Sequence, residues 1–367
     1  MTVKRVGVIG SGQLGRMMAL AGTPLDVEFV FYDEALQSPS CRLGETIQPS
    51  SEGSLERFIE SVDVITYESE NTDSDLVVKL SESKPVYPGV DSLRKSQHRL
   101  TEKNTFRELG IQTADFLKVT SHAELKLATE KLGFPIVLKT TTLGYDGKGQ
   151  AVLKCADDID NAWDKLKDFE LIAEAFVTFS RELSVIAVRD TKGNTRVYPL
   201  AENDHTDGIL RISKVPVKNL SKEKQAQAED FAITMLNHLG HIGVLTLELF
   251  DTDNGLIANE MAPRVHNSGH WTIEGTASSQ FENHVRAICG FPLGDTTSRE
   301  NFAAMINIIG KHGDRDKVLS MGNAFLHTYS KTERQDRKIG HINLIASTEE
   351  QMDNDISALS DFVKECG

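Results

Sequence analysis

Residues 244–250 read VLTLELF, residues 255–264 read GLIANEMAPR, and Asp251-Thr-Asp-Asn-Gly255 joins them. Two apolar runs around an Asp/Asn/Gly turn signal a β-hairpin. Side chains alternate along a strand, so Leu245, Leu247 and Leu249 face one way and Thr246 and Glu248 the other. A hairpin centred on residue 254 sets Glu248 opposite Glu260. Like charges directly opposite destabilise a sheet. A divalent cation removes that cost, and a site of few oxygen ligands suits Mg²⁺ shared with phosphates. A solvated acidic edge is the bland alternative, but the hairpin's other face is apolar. Four residues past the second carboxylate comes Arg264-Val-His-Asn-Ser-Gly-His270. A cationic, hydrogen-bonding loop beside a metal–phosphate centre suits a small oxyanion.

Upstream, Thr140-Thr-Thr-Leu-Gly-Tyr-Asp-Gly-Lys-Gly-Gln150 falls between two apolar strands. Gly144, Gly147 and Gly149 let backbone N–H groups turn toward an anion. Lys148 adds charge, and Lys139, ending the preceding strand, reaches the same phosphates. The stretch lacks the G-x-x-x-x-G-K-[ST] of a P-loop. A plain glycine-rich hairpin is the competing reading. Glu174-Ala-Phe-Val177 ends another strand, read as a sheet edge, with Glu182 just beyond. Such a strand can offer backbone groups to an adenine and a carboxylate to ribose hydroxyls. Near the start, Gly10-Ser-Gly12-Gln-Leu-Gly15 fits G-x-G-x-x-G between a strand and a helix, and Asp33 ends the next strand. This turn suits a dinucleotide, a phosphate of another ligand, or only a tight connection.

Around these motifs the first hundred residues alternate strand and helix, as in a small doubly wound sheet. Strands are expected at Val3–Ile9, Val27–Tyr32 and Val62–Tyr67, with a short edge at Pro85–Tyr87. A charged helical passage, 91–109, leads to an α+β region. There, strands at Ile136–Lys139, Leu171–Val177, Arg181–Val188, Arg196–Glu202, Val244–Phe250 and Gly255–Glu260 are interrupted by helices near 122–132, 158–168, 222–239 and 279–289. The last stretch carries strands near Ala303–Ile309, Ala324–Tyr329 and His341–Ala346 and an amphipathic helix over 349–365. Three domains are expected: 1–98, 99–295 and 296–367.

The 367 residues carry 39% apolar and 26% charged side chains, a globular composition. A net charge of −14 repels nucleic acid and anionic membranes, so anionic substrates require cations concentrated at one site. The four cysteines, at 41, 155, 289 and 366, have no zinc or redox spacing and fit free thiols in a reducing cytosol. No apolar run approaches the ~18 residues of a membrane span. Glycines end the first apolar run too early for a signal peptide.

Together these pieces resemble the ATP-grasp superfamily and, within it, the family of N5-carboxyaminoimidazole ribonucleotide synthetases. The resemblance rests on GSGQLGRM at 10–17, GYDGKGQ at 144–150, HTDGILRIS at 205–213, NEMAPRVHNSGHWT at 259–272, SQFENHVRAI at 279–288 and RKIGHIN at 337–343. It implies an ATP-grasp fold of mixed α/β and α+β character, with a Rossmann-like N-terminal domain and a small C-terminal domain. It implies a soluble, cytoplasmic homodimeric ligase of purine biosynthesis using ATP and two Mg²⁺ ions. ATP would be held by Arg99, Lys139, Gly144, Tyr145, Asp146, Gly147, Lys148, Gly149, Gln150, Glu174, Ala175, Phe176, Val177, Glu182 and His205. Asn259 and Glu260 would complete the nucleotide site, and Glu248 and Glu260 would hold metal. Lys139, Lys148, Arg264, His266 and Asn267 would carry the chemistry on bicarbonate. Gln13, Leu14, Glu68, Tyr145, Asp146, Arg264, Arg337 and Lys338 would bind 5-aminoimidazole ribonucleotide. The implied reaction makes carboxyphosphate and ADP from bicarbonate and ATP, then carboxylates the exocyclic amine, with the loop at 140–150 closing over the site. The rivals are a formate-using glycinamide ribonucleotide transformylase, a biotin carboxylase, an NAD-dependent oxidoreductase and a non-catalytic nucleotide-binding protein. Neither of the first two is expected to carry RVHNSGHW followed by RKIGH, and the NAD reading leaves Glu248 and Glu260 idle.

Overall fold

The computed structural model describes residues 3–142, 149–359 and 362. The chain opens with a four-stranded parallel sheet: β1 (Lys4–Ile9), β2 (Val27–Tyr32), β3 (Glu45–Ile47) and β4 (Val64–Tyr67), in the order β3-β2-β1-β4. Val6 and Val8 of the central strand are fully buried. The expected edge at Pro85–Tyr87 is a single parallel bridge, Ile65 to Val86. The three-residue β3 has no hydrophobic period and was not anticipated. The passage at 91–109 is two helices, Val90–Gln97 and Arg99–Glu108, broken at the extended His98.

A second sheet is antiparallel and small: β5 (Phe116–Val119), β6 (Ile136–Thr140), β7 (Gln150–Leu153) and β8 (Leu171–Ala175), ordered β5-β8-β6-β7. Helices His122–Leu132 and Asp158–Leu166 supply the rest of its core. The strand ending at Ala175 is therefore not an edge. It lies between two others, which is why Leu171, Ile172, Ala173 and Glu174 are all buried.

The third sheet has nine strands: β9 (Arg181–Arg189), β10 (Thr195–Val197), β11 (Ala201–Thr206), β12 (Ile209–Val215), β13 (Gly243–Thr252), β14 (Gly255–Ala262), β15 (Phe302–Ile309), β16 (Ala324–Thr328) and β17 (Lys338–Ala346). Its order is β14-β13-β9-β11-β12-β15-β17-β16, with β10 on β9. The expected strand at Arg196–Glu202 is two short ones, both on β9, interrupted where Pro199 has no N–H to give the ladder. Through β12 and β15 the sheet runs on across residue 296. Helix Lys222–His238 covers one face of β9 and β13. The C-terminal helix is described over Glu349–Ala358, and most of the expected remainder lies outside the described residues.

The first sheet locks to the third through helices Gln13–Gly22 and Gln280–Ile288, whose Met17, Met18, Phe281 and Val285 share one core. Two buried histidines finish the seam. His284 accepts from the Val244 N–H at 3.1 Å, and its Nε2 lies 3.0 Å from the Thr66 hydroxyl. His241 bonds the Ser92 hydroxyl and the Val244 carbonyl, each at 3.0 Å. Burial lowers His241 to about 4 and His284 to about 3, so both are neutral at physiological pH. The unfolded chain takes up these protons first, near pH 6.5. Their contribution is thus intact above that value and declines as pH falls toward about 4. A loss on the order of 2 kcal/mol per histidine by pH 5 follows from linkage. Urea melts of the wild type and His284→Gln between pH 8 and pH 5 check this: the wild type should lose stability across that range more steeply than the variant, and parallel curves would remove the assignment.

Candidate active site

The hairpin of β13 and β14 places Glu248 directly opposite Glu260. The turn itself pairs Thr252 with Gly255, one residue out of the register centred on 254, and a bulge between Glu248 and Leu249 makes up the difference. Leu245, Leu247 and Leu249 are buried under helix Lys222–His238. The carboxylates take the opposite face, on a cavity of about 830 Å³. Burial, then the facing Glu260, raises Glu248 to about 8. The side-chain oxygens of Asn259 and Asn267 are buried without hydrogen-bond partners. Asn267 and both glutamates line the cavity with Asn259. Two carboxylates in mutual repulsion beside orphaned amide oxygens fit a hard oxygen-seeking cation. Among the described residues no cluster of three or more His, Cys, Asp or Glu could hold a metal. Such an ion would therefore keep most of its coordination for water and phosphate, as Mg²⁺ does.

Several of the residues expected to hold nucleotide gather along the same cavity. Lys139 from β6 and Gln150 from β7 face each other across the small sheet and line the cavity, as do Phe176, Glu182 and His205. Gly149 adopts φ +71°, and a Cβ there would lie 2.8 Å from the Thr140 hydroxyl. Gly144, Tyr145, Asp146, Gly147 and Lys148, with their expected roles, lie outside the described residues. Glu174 sits behind Lys139, giving it a 2.9 Å ion pair. Burial pushes Glu174 up, but Lys139 and Lys103 outweigh it and hold the carboxylate at about 2. The Ala175 and Phe176 N–H groups are committed to the Asp115 and Pro135 carbonyls, so neither amide is offered to a base. Ala175 and Val177 are not among the cavity-lining residues. Glu182 Oε1 lies 3.3 Å from His205 Nδ1. Burial lowers His205, yet Glu182 wins and leaves it raised. Arg99 donates to Glu260 at 3.1 Å. Sequence reading missed the apolar wall of Val137, Val152, Phe179, Leu210 and Phe250, with the two phenylalanine rings stacked at 4.5 Å. Isolated apolar residues on separate strands give no motif to find.

At the oxyanion end, Arg264 is bound by Glu70, another cavity residue that the sequence did not flag. Burial raises Glu70, but Arg264 overrides it and holds the carboxyl at about 2. His266 Nδ1 accepts from the Ser268 N–H at 3.3 Å, and Nε2 lies 3.5 Å from Glu248. Burial, then Arg264 and Lys338, lower His266 to about 3. It is a neutral imidazole with its N–H on Nε2, a donor that brings no charge. Lys338 from β17 reaches the same cavity. Arg337 does not line it and instead bonds the Thr332 hydroxyl at 2.8 Å. Lys331, also unflagged, bonds the Gln13 amide oxygen and, like Arg337, is not among the cavity-lining residues. Burial, then Arg337, lowers Lys331 to about 8.

The glycine motif is occupied from within. The N–H groups of Gly12 and Gly15 both donate to the carboxylate of Glu68, the latter at 2.8 Å. Asp33 accepts from the N–H and hydroxyl of Ser11 at 2.8 and 2.7 Å. The positive end of helix Gln13–Gly22, where a dinucleotide's phosphates would sit, thus already holds a carboxylate. Burial raises Glu68 despite those two N–H groups. Gln13, Leu14 and Glu68 face the shared cavity, while the adjoining Tyr67 is fully buried.

Two α+β halves around a nucleotide-sized cavity, with paired carboxylates on one hairpin, define an ATP-grasp ligase. Family models match accordingly: an ATP-grasp domain over residues 104–281, a ribonucleotide synthetase preATP-grasp domain over 3–97, and a phosphoribosylaminoimidazole carboxylase C-terminal domain over 303–355. The chain is 46% identical over 342 residues to the N5-carboxyaminoimidazole ribonucleotide synthase of Pseudomonas aeruginosa, covering 93% of this chain and 94% of that one. The crystal structure of N5-carboxyaminoimidazole ribonucleotide synthetase from Thermus thermophilus superposes with a TM-score of 0.93 at 41% identity, covering 98% and 99% of the two chains. That of the Aspergillus clavatus synthase in complex with ADP and 5-aminoimidazole ribonucleotide gives 0.91 at 32% identity, covering 98% of each. The chain belongs to the N5-carboxyaminoimidazole ribonucleotide synthase family.

The glycine turn makes its own prediction. A Cβ on Gly12 would lie 2.6 Å from the Glu68 carboxylate, so Gly12→Ala must displace that side chain. We expect a stability loss of about 1–3 kcal/mol in chemical melts. An unchanged midpoint would show that Glu68 is not seated in the turn.

Proposed function

We propose that this enzyme carboxylates the exocyclic amine of 5-aminoimidazole ribonucleotide with bicarbonate and ATP, giving N5-carboxyaminoimidazole ribonucleotide, ADP and phosphate in purine biosynthesis. The observation that carries the reading is one cavity lined at once by Lys139, the Glu248/Glu260 pair, Arg264 with His266, and Gln13 with Glu68. A nucleotide wall, a cation site, an oxyanion loop and an acceptor wall share one space.

The nucleotide base lies against the apolar wall, with Glu182 and His205 beside it and Lys139 on the phosphates. Glu248, Glu260 and the amide oxygens of Asn259 and Asn267 would hold Mg²⁺, two ions with the nucleotide bound, which would supply neutralisation of phosphate charge. Bicarbonate, between Arg264 and His266, attacks the γ-phosphorus in line, and ADP leaves. Phosphoryl transfer needs positioning and charge neutralisation more than covalent help. Lys139, Arg264 and Lys338 supply positive charge, and His266 donates its Nε2–H to a bicarbonate oxygen without adding to it. The ribonucleotide amine then attacks the activated carboxyl carbon. Phosphate leaves with the former bicarbonate oxygen and takes up the proton that the amine gives up. Gln13, Leu14, Glu68 and Lys338 enclose the ribonucleotide, with Lys331 holding the Gln13 side chain.

On the same reading the enzyme is a cytoplasmic homodimer with domains at 1–98, 99–295 and 296–367. The described cysteines, Cys41, Cys155 and Cys289, are free, which suits a reducing compartment. No described helix is long and apolar enough to cross a membrane.

ADP release from ATP–Mg²⁺ tests the reading. It should rise strongly with the ribonucleotide and require bicarbonate. Release indifferent to the ribonucleotide would point to another amine acceptor. Glu260→Gln should cut turnover by about a thousandfold, the scale of losing a key electrostatic group, with an unchanged circular dichroism spectrum; near-wild-type turnover would remove the metal assignment. Lys338→Ala should raise KM for the ribonucleotide about tenfold or more while altering ATP affinity less. An unchanged ribonucleotide KM would take β17 out of the substrate site.

A further inference from the structure

Helix Arg99–Glu108 directs Arg99, Glu102 and Lys103 from one turn, at the i, i+3, i+4 spacing that puts them on one face. Arg99 reaches Glu260, and Glu102 accepts the Met261 N–H at 2.6 Å. Lys103 Nζ lies 3.2 Å from the Asn259 carbonyl of β14 and 3.4 Å from Glu174 Oε1 of β8. The other oxygen of Glu174 holds Lys139. A continuous path thus runs from the metal hairpin, through Lys103 and Glu174, to the lysine on the cavity wall. Lys103 is 1% exposed and does not line the cavity, so it acts only through these partners.

Burying such a cluster is costly, and apolar residues of similar volume often serve stability as well or better. Charge explains what the cluster does. Two ammonium groups share one carboxylate. Were Lys103 uncharged, Glu174 would neutralise Lys139 one for one and draw it away from the cavity. With Lys103 present, Glu174 is partly engaged from behind, and Lys103, Glu174 and Lys139 together keep one net positive charge. We propose that Lys103 is a positioning residue that frees Lys139 for the nucleotide phosphates and fixes its distance from Glu260 by tying β8 to β14. This rests on the placement of Lys139 at the phosphates given above.

The test compares wild type, Lys103→Met and Lys103→Met/Glu174→Gln by ADP titration calorimetry and by KM for ATP in the complete reaction. Lys103→Met should weaken both by about tenfold or more, the scale of losing a charge-assisted contact. Adding Glu174→Gln removes the carboxylate that captures Lys139 and should recover most of that loss. A merely structural lysine would show no such rescue. Should Lys103→Met fail to fold, the double variant, an uncharged pair of similar shape, decides alone: nucleotide affinity near wild type supports the proposal, and affinity as poor as that of Lys139→Ala overturns it. A folded Lys103→Met within twofold of wild type, or a double variant worse than the single, also overturns it. Failure of the wild type itself to bind ADP would instead fault the placement of the nucleotide.

Discussion

Repulsion between Glu248 and Glu260, held face to face on one hairpin, is the constraint around which the rest of the site is organised. The sheet could have relieved it by turning one carboxylate to water. Instead β13 pairs on both sides, with β9 and β14, and a bulge keeps the two glutamates in register. Arg99 offsets part of the charge from one flank, and the carboxylates add to the raising of His205 on the other. What remains is local negative potential inside a wall of cations, where Glu248 and Glu260 would hold a divalent cation. In a chain of net charge −14, that concentration of opposite charges in one cavity is what lets anionic substrates enter.

The second constraint is distance. Lys139 and Glu260 belong to different sheets, so their separation depends on how those sheets are joined. Helix Arg99–Glu108 joins them twice: the Arg99 N–H bonds the Thr141 carbonyl at 2.9 Å beside β6, and its side chains grip β14. Reacting groups held on strands and backed by buried contacts are placed more closely than groups on loops.

Much of this was legible in the sequence, where the signal was local. The hairpin register follows from strand alternation, Lys139, Gln150, Arg264 and His266 sit in or beside local motifs, Lys338 follows from the family resemblance, and all reach the cavity. The strands β3, β5 and β12 escaped notice: the first two are only three and four residues long, and β12, ILRISKV, mixes buried Arg211 and Ser213 into an apolar run. The misread edge strand has the same origin. Whether β8 is central depends on β5, which pairs with it from far back in the chain, as between Phe116 and Glu174. Glu70, Lys103 and Lys331 were invisible because nothing near them in sequence marks them. Their partners are Arg264, Glu174 and Gln13, separated by long stretches of chain and brought together only by packing.

The glycine turn shows how a motif can be right about physics and silent about the ligand. Gly10, Gly12 and Gly15 do clear space at a helix N-terminus, and two N–H groups do converge on an anion there. The anion is Glu68, supplied by the end of β4, the strand beside β1. That choice has a consequence for specificity. A diphosphate would meet a carboxylate already seated on the donors it needs, and like charges would repel it. The same carboxylate, fixed by the turn and facing the shared cavity, gives a neutral donor on a ligand an acceptor already held in position. Replacing phosphate with a built-in carboxylate thus converts an anion-binding turn into a hydrogen-bond acceptor, and a dinucleotide fingerprint sits in this chain with its donors already taken.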